Sequence, residues 1–113
     1  MAWKAALPSS TFGFLWKRNF EDKQDLMNYV TRSLQNGFSP VARFIAGKIQ
    51  QLPYYGSSYP YGGHYISIIA DDSNTGKVVL SDCNWYENYY GIHVISDDTL
   101  FATFNEITYC VSN

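Results

Sequence analysis

The stretch His64-Tyr65-Ile66-Ser67-Ile68-Ile69-Ala70-Asp71-Asp72-Ser73-Asn74-Thr75-Gly76-Lys77-Val78-Val79-Leu80-Ser81-Asp82-Cys83 decides how the chain folds. Two β-favouring runs, 64–70 and 77–83, flank the turn-forming cluster 71–76, which ends in glycine. Such runs pair as an antiparallel hairpin. Strand side chains alternate, so His64, Ile66, Ile68 and Ala70 share one face of the first strand, and Val78, Leu80 and Asp82 share one face of the second. If Ala70 pairs with Val78, His64 lies opposite Asn84 and diagonal to Asp82, about 7–8 Å away and within reach of long side chains. A slip of two residues sets the pair directly opposite. Either way both polar residues end an otherwise apolar stripe, at the end away from the turn.

Working outward from the hairpin, Leu26, Val30 and Leu34 recur every four residues while Lys23, Asp25, Asn28 and Arg32 fall elsewhere on the wheel. This spacing predicts an amphipathic helix over 22–35. Glu21, Asp22 and Asp25 complement the positive end of its dipole, and Asn36-Gly37 stops it. Pro40 opens the apolar run 41–46, a buried strand, and the crowded Phe12, Phe14, Leu15 and Trp16 read as a short strand near the N-terminus. Residues 53 to 63 mix Pro, Gly and Ser with Tyr54, Tyr55, Tyr59 and Tyr61, forming a tyrosine-rich loop that delivers the chain to His64. After the polar, aromatic stretch 84–90 come a strand over 91–96, a short helix over 97–104 and a last strand over 107–111. Neither a repeat nor a linker divides the chain. The expected fold class is α+β, a single domain over 1–113 with one main amphipathic helix on an antiparallel sheet.

Composition narrows the function. The 113 residues are 46% hydrophobic, as suits a chain folding around one core. A net charge of −2 and scattered basic residues argue against nucleic acid as a partner. No apolar stretch approaches the roughly 20 residues of a membrane-spanning helix, so no membrane span is expected. The opening Met-Ala-Trp-Lys-Ala-Ala-Leu-Pro lacks the apolar run of a secretory signal. Cys83 and Cys110, too few for a disulfide scaffold, read as buried thiols. The ten tyrosines serve either a contact surface or loop packing, two alternatives left open by the sequence.

The chemistry of a His–Asp pair is well defined. A carboxylate that accepts one imidazole N–H fixes the tautomer and stabilises the imidazolium, freeing the other nitrogen to work on a nucleophile. The competing reading is a capping interaction at a hairpin end. His93 has no obvious partner and reads as a surface or core histidine. Cys83 points to the opposite strand face from Asp82, and Cys110 lies in the final strand, so neither is well placed as nucleophile. His64, His93 and Asp82 show no recognised metal spacing, and Gly62-Gly63 precedes a strand rather than opening a helix, so neither metal, phosphate nor other cofactor is expected.

The order of these elements resembles the C-terminal half of papain-like cysteine peptidases, nearest the bacteriocin-processing, double-glycine branch. The matching residues are Leu34 through Gly37-Phe38-Ser39-Pro40-Val41, then Gly63-His64-Tyr65-Ile66-Ser67-Ile68, then Val78-Val79-Leu80-Ser81-Asp82, and Ile95-Ser96 to Phe101. They span roughly residues 22 to 104. The resemblance implies a papain-like half-fold, His64 as general base, Asp82 as the residue that orients it, and a peptide or protein substrate. It also implies a bacterial, extracellular setting. The loop would border the cleft, with Tyr59, Tyr61 and Gly63 touching substrate and Tyr54 and Tyr55 on the same edge. Tyrosine offers contact area at low entropic cost, and glycine lets an extended ligand come close. The family's nucleophilic Cys and the Gln before it have no counterpart, since no Cys occurs before Cys83, and Cys83 replaces the usual Pro after the Asp.

Three readings stay open: the base-bearing part of a peptidase whose Cys comes from an upstream segment or a second chain; an inactive papain-like peptide- or protein-binding module; and an unrelated small α+β interaction domain.

Overall fold

The computed structural model describes residues 12–86 and 89–112. The N-terminal residues read above for a secretion signal, and residues 87–88 of the 84–90 stretch, lie outside the described residues.

Strand β1 (Phe12–Lys17) leads through a short connection to helix α1 (Lys23–Gln35) and then to β2 (Val41–Phe44). A single 3-10 turn, Ile49–Gln51, opens the tyrosine-rich loop, which ends at β3 (His64–Asp72). Then follow β4 (Lys77–Asp82), β5 (Gly91–Ser96), α2 (Asp97–Thr103) and β6 (Glu106–Ser112). The six strands form one sheet in the order β1-β6-β2-β3-β4-β5, with every neighbouring pair antiparallel. Among the described residues the fold is therefore α+β with two helices.

Local chemistry explains the boundaries. Asp22 caps α1 by accepting the Asp25 N–H at 2.8 Å. Ser96 caps α2 in the same way through the Thr99 N–H at 3.0 Å. Gly37 and Gly47 take left-handed backbone, at φ 85° and 91°, where α1 ends and where the chain leaves β2. β2 is thus shorter than the expected 41–46, and Ile45 is exposed.

The helix buries Leu26, Met27, Val30 and Ser33, while Leu34 is only partly buried. Residues four apart drift by about 40° per step around a helix of 3.6 residues per turn. By position 34 the four-residue stripe has rotated off the sheet, and Ser33 takes its place. Ser33 is buried without cost because its hydroxyl donates to Phe38 O and accepts the Cys110 N–H, both at 3.1 Å.

Both helices touch each other and the sheet, so they cover the same face. The core between them holds Ala42, Phe44, Ile66, Ile68, Val78, Leu80, Ile95, Leu100 and Ile107. The other sheet face carries Tyr65, Ile92 and Val94, all more than half exposed. No helix among the described residues is long and apolar enough to cross a membrane.

The β3–β4 ladder contains a bulge. Ser67 pairs with Ser81 and Ile68 with Leu80, but nearer the turn Ala70 pairs with Val79 and Asp71 with Val78. β3 also runs two residues further than expected, confining the turn to 73–76, while β4 starts at Lys77 as expected and ends one residue early, at Asp82. Beyond the bulge Ala70 is exposed, which corrects its assignment to the His64 face. Asp71 takes the helix-facing direction instead and accepts the Thr31 hydroxyl of α1. At the open end the register is undisturbed, which places His64 beyond Ile66 on the core face, beside Asp82.

Candidate active site

His64 Nε2 lies 3.0 Å from Asp82 Oδ1. A carboxylate has no proton to give, so Nε2 carries the proton and donates it. The Asp82 side chain is fully buried, yet both its oxygens are saturated. Oδ1 also accepts the Asn84 N–H at 2.9 Å, and Oδ2 accepts the hydroxyls of Tyr54 at 2.8 Å and Tyr55 at 2.7 Å. Four donors around one buried carboxylate offset its loss of water and hold its plane in one orientation.

The donors are themselves held. Asn84, nearly buried, donates its side-chain amide to the Tyr55 and Tyr59 hydroxyls at 3.2 and 2.9 Å, and its Oδ1 accepts the Tyr86 N–H at 3.0 Å. Tyr55 stacks on Tyr89 with ring centres 4.2 Å apart, and Tyr89 donates its hydroxyl to Tyr55 O at 3.1 Å. Burial, followed by the charge of and hydrogen bond to Asp82, pushes the Tyr54 phenol far above its usual range. Burial and the hydrogen bond to Asp82 do the same to Tyr55, with Asn84 opposing. Both remain protonated donors at any physiological pH.

His64 Nδ1 makes no hydrogen bond to a described residue. The His64 side chain is 24% exposed and borders a cavity of about 240 Å³, with Tyr59, Tyr61, Cys83, Asn84, Trp85 and Tyr86 as the other walls. A larger, more open cavity of about 460 Å³ lies among Arg18, Phe20, Lys48, Phe101 and Phe104. It has no His, Cys, Asp or Glu in its walls, so acid–base chemistry points to the smaller one. Among the described residues no three His, Cys, Asp or Glu side chains converge as metal ligands would.

The sequence-predicted residues fare differently. His64 and Asp82 come together, as strand alternation allowed. Tyr55 and Tyr59 do not present a free contact surface: each is 6% exposed and belongs to the core, because their hydroxyls turn inward to Asp82 and Asn84. Tyr54 is partly buried, and Tyr61 alone of the four is more than half exposed. Tyr59 and Tyr61 do both border the cavity. Gly63 has a packing reason of its own, since a Cβ there would meet Phe44 O at 2.4 Å. Only glycine lets the loop press against β2 immediately before His64.

Cys110 is buried as expected, but Cys83 is exposed. Cys83 lies one residue beyond the end of β4 rather than within the expected 77–83 strand, so alternation does not fix its facing, and it borders the same cavity as His64. Its thiol forms no hydrogen bond with His64. His93 is neither a bare surface histidine nor an apolar core one: its ring lies flat on Tyr54.

The supporting roles of Tyr54, Tyr55, Asn84 and Tyr89 were missed by sequence reasoning. One signal was available. Asp82 and Asn84 each accept the backbone N–H two residues on, and an Asp-x-Asn run directly after a strand is the pattern of two successive side-chain-capped turns.

Compared with known proteins, the chain matches no family model, no curated protein and no solved structure.

Proposed function

We propose that this chain is the His/Asp-bearing part of a papain-like cysteine peptidase, with His64 as general base, Asp82 as its orienting carboxylate and the nucleophilic thiol supplied by a segment outside this chain. The observation that carries this reading is the bonding of His64: Nε2 is committed to a buried, fully hydrogen-bonded carboxylate, while Nδ1 is left as a lone-pair base at the cavity. The order of helix, His-bearing strand and Asp-bearing strand supports it.

In this scheme a thiol at the cavity gives its proton to Nδ1, and the thiolate attacks the substrate carbonyl. The Asp82 carboxylate stabilises the imidazolium, which then returns the proton to the departing amine, so that an acyl-thioester is left for water to hydrolyse. The substrate is a peptide or protein, which would meet Tyr59 and Tyr61 at the cavity wall, with Gly63 in the chain just before His64.

A second reading, a papain-like module that binds peptide or protein without catalysis, is favoured by one observation. Cys83, the one thiol bordering the cavity among the described residues, makes no hydrogen bond with His64.

The test is chemical complementation. Alone, the chain should leave a fluorogenic peptide uncut. With a small added thiol, it should accelerate transfer of the acyl group of a p-nitrophenyl ester to sulfur, releasing p-nitrophenolate. His64→Ala should abolish this acceleration and Asp82→Asn should reduce it. An acceleration that survives His64→Ala overturns the base assignment. Peptide hydrolysis by the chain alone, abolished by a thiol-blocking reagent and by Cys83→Ala, overturns the external nucleophile and makes Cys83 the attacking group.

A further inference from the structure

His93 lies outside the cavity, yet both phenols on Asp82 lead back to it. Its ring is parallel to Tyr54, with ring centres 3.6 Å apart and planes 2° from parallel. Its Nε2 lies 2.8 Å from Tyr89 O, and since a carbonyl only accepts, Nε2 is the donor. Tyr54 carries one hydroxyl bonded to Asp82 Oδ2. Tyr89, whose backbone His93 holds, stacks on Tyr55, which carries the other.

We propose that His93 is a positioning residue for the His64–Asp82 pair, acting on the Asp82 carboxylate directly through Tyr54 and at one further remove through Tyr89 and Tyr55. This rests on the reading of His64 as a base and Asp82 as its orienting group.

The mechanics follow from the shape of the clamp. Asn84 N–H and His64 fix Oδ1, but the tilt of the carboxylate plane depends on where the two phenol oxygens stand. A phenol is a rigid lever whose oxygen moves when its ring turns. Tyr55 is walled by Tyr54, Tyr59 and Tyr89, whereas Tyr54 has Tyr55 on one side and His93 as its flat support. Without the imidazole, Tyr54 gains room to swing, Oδ2 loses a donor, and the carboxylate is free to rotate away from the His64 N–H direction. The tether to Tyr89 O fixes the imidazole plane, so the support is itself held.

The experiment reads the imidazole proton of His64 in the isotope-labelled full chain by NMR, a signature that general loss of stability does not move. The wild type should show one tautomer, with the proton on Nε2 and protected from exchange. In His93→Ala the tautomers should mix, and exchange of that proton should quicken by about fivefold, the scale of one lost hydrogen bond. Tyr54→Phe should produce the same change, and the double substitution should add little to either alone. His93→Phe restores a flat support and should bring the signature back towards wild type. An unchanged His64 signature in a folded His93→Ala chain overturns the proposal, as does His93→Phe proving no better than alanine. If the alanine variant does not fold, His93→Gln takes its place: the amide keeps the Tyr89 contact without the flat support and should disturb His64 where His93→Phe does not. Because this readout needs no turnover, a chain that fails the thiol assay but shows the signature loses the peptidase reading and keeps the positioning role of His93.

Discussion

The two ends of the β3–β4 hairpin hold carboxylates in opposite circumstances. At the turn end, Asp72 is exposed and does no more than accept the Asn74 N–H at 2.9 Å, while Asp71 meets a single hydroxyl from α1. At the open end, Asp82 is buried and accepts from an imidazole, a backbone amide and two phenols. All three residues are strand aspartates in one hairpin. The difference lies in what folds over them: water and one helix at the turn, the tyrosine-rich loop at the open end. A buried carboxylate with this many donors is expensive to assemble and leaves several groups stranded if removed, which is why the open end rather than the turn end is the candidate site.

The largest expected effect breaks that contrast directly. Asp82→Ala strands two phenols, an amide and His64, and should lower the unfolding free energy by about 3–5 kcal/mol. Asp72→Ala loses one exposed turn bond and should cost no more than about 0.5–1 kcal/mol. Denaturant unfolding of the two variants side by side measures both, and similar costs would mean that the clamp around Asp82 contributes nothing special.

A comparison within the loop sharpens the same point. Tyr59→Ala empties a buried aromatic position and should destabilise by about 3 kcal/mol, whereas Tyr61→Ala, at an exposed position, should stay within about 0.5 kcal/mol. Thermal melts of the single variants decide it. Comparable melting temperatures would return the loop to the role of a free surface.

The smallest effect appears only in alkali. The unfolded chain releases its tyrosine protons from about pH 10 upward, while burial and Asp82 keep Tyr54 and Tyr55 protonated in the folded state. Their contribution is therefore fully present below that pH and is lost progressively as the pH rises beyond it. Unfolding free energy measured from pH 9 to 11 should fall, and Tyr55→Phe should make the fall shallower. An equal slope in the variant would place Tyr55 outside this linkage.

Much of this site was legible because the forces involved are local. Strand alternation put His64 and Asp82 on one face, and the bulge between Ile68 and Ala70 left that end of the register untouched. The same bulge spoiled the assignment of Ala70, because nothing in Ile68-Ile69-Ala70 distinguishes a bulged residue from a paired one. Cys83 falls one residue past the end of β4, where strand alternation no longer says which way a side chain faces.

By itself the sequence determined the hairpin, the helix that begins after Asp22, the second helix after Ser96 and the strand face shared by His64 and Asp82. Each of these depends on residues within a few positions of one another or on the two-residue period of a strand. Only the tertiary structure decided which tyrosines are buried and what they hold. Tyr54 and Tyr55 reach Asp82 across 28 and 27 residues of chain. A phenol has no local periodicity that says whether its polar tip will face water or a carboxylate. That choice follows from the path of the whole loop, set by the close approach of Gly63 to β2 and by the aromatic rings of β5 and its preceding turn, which the local pattern of residues 53 to 63 does not contain.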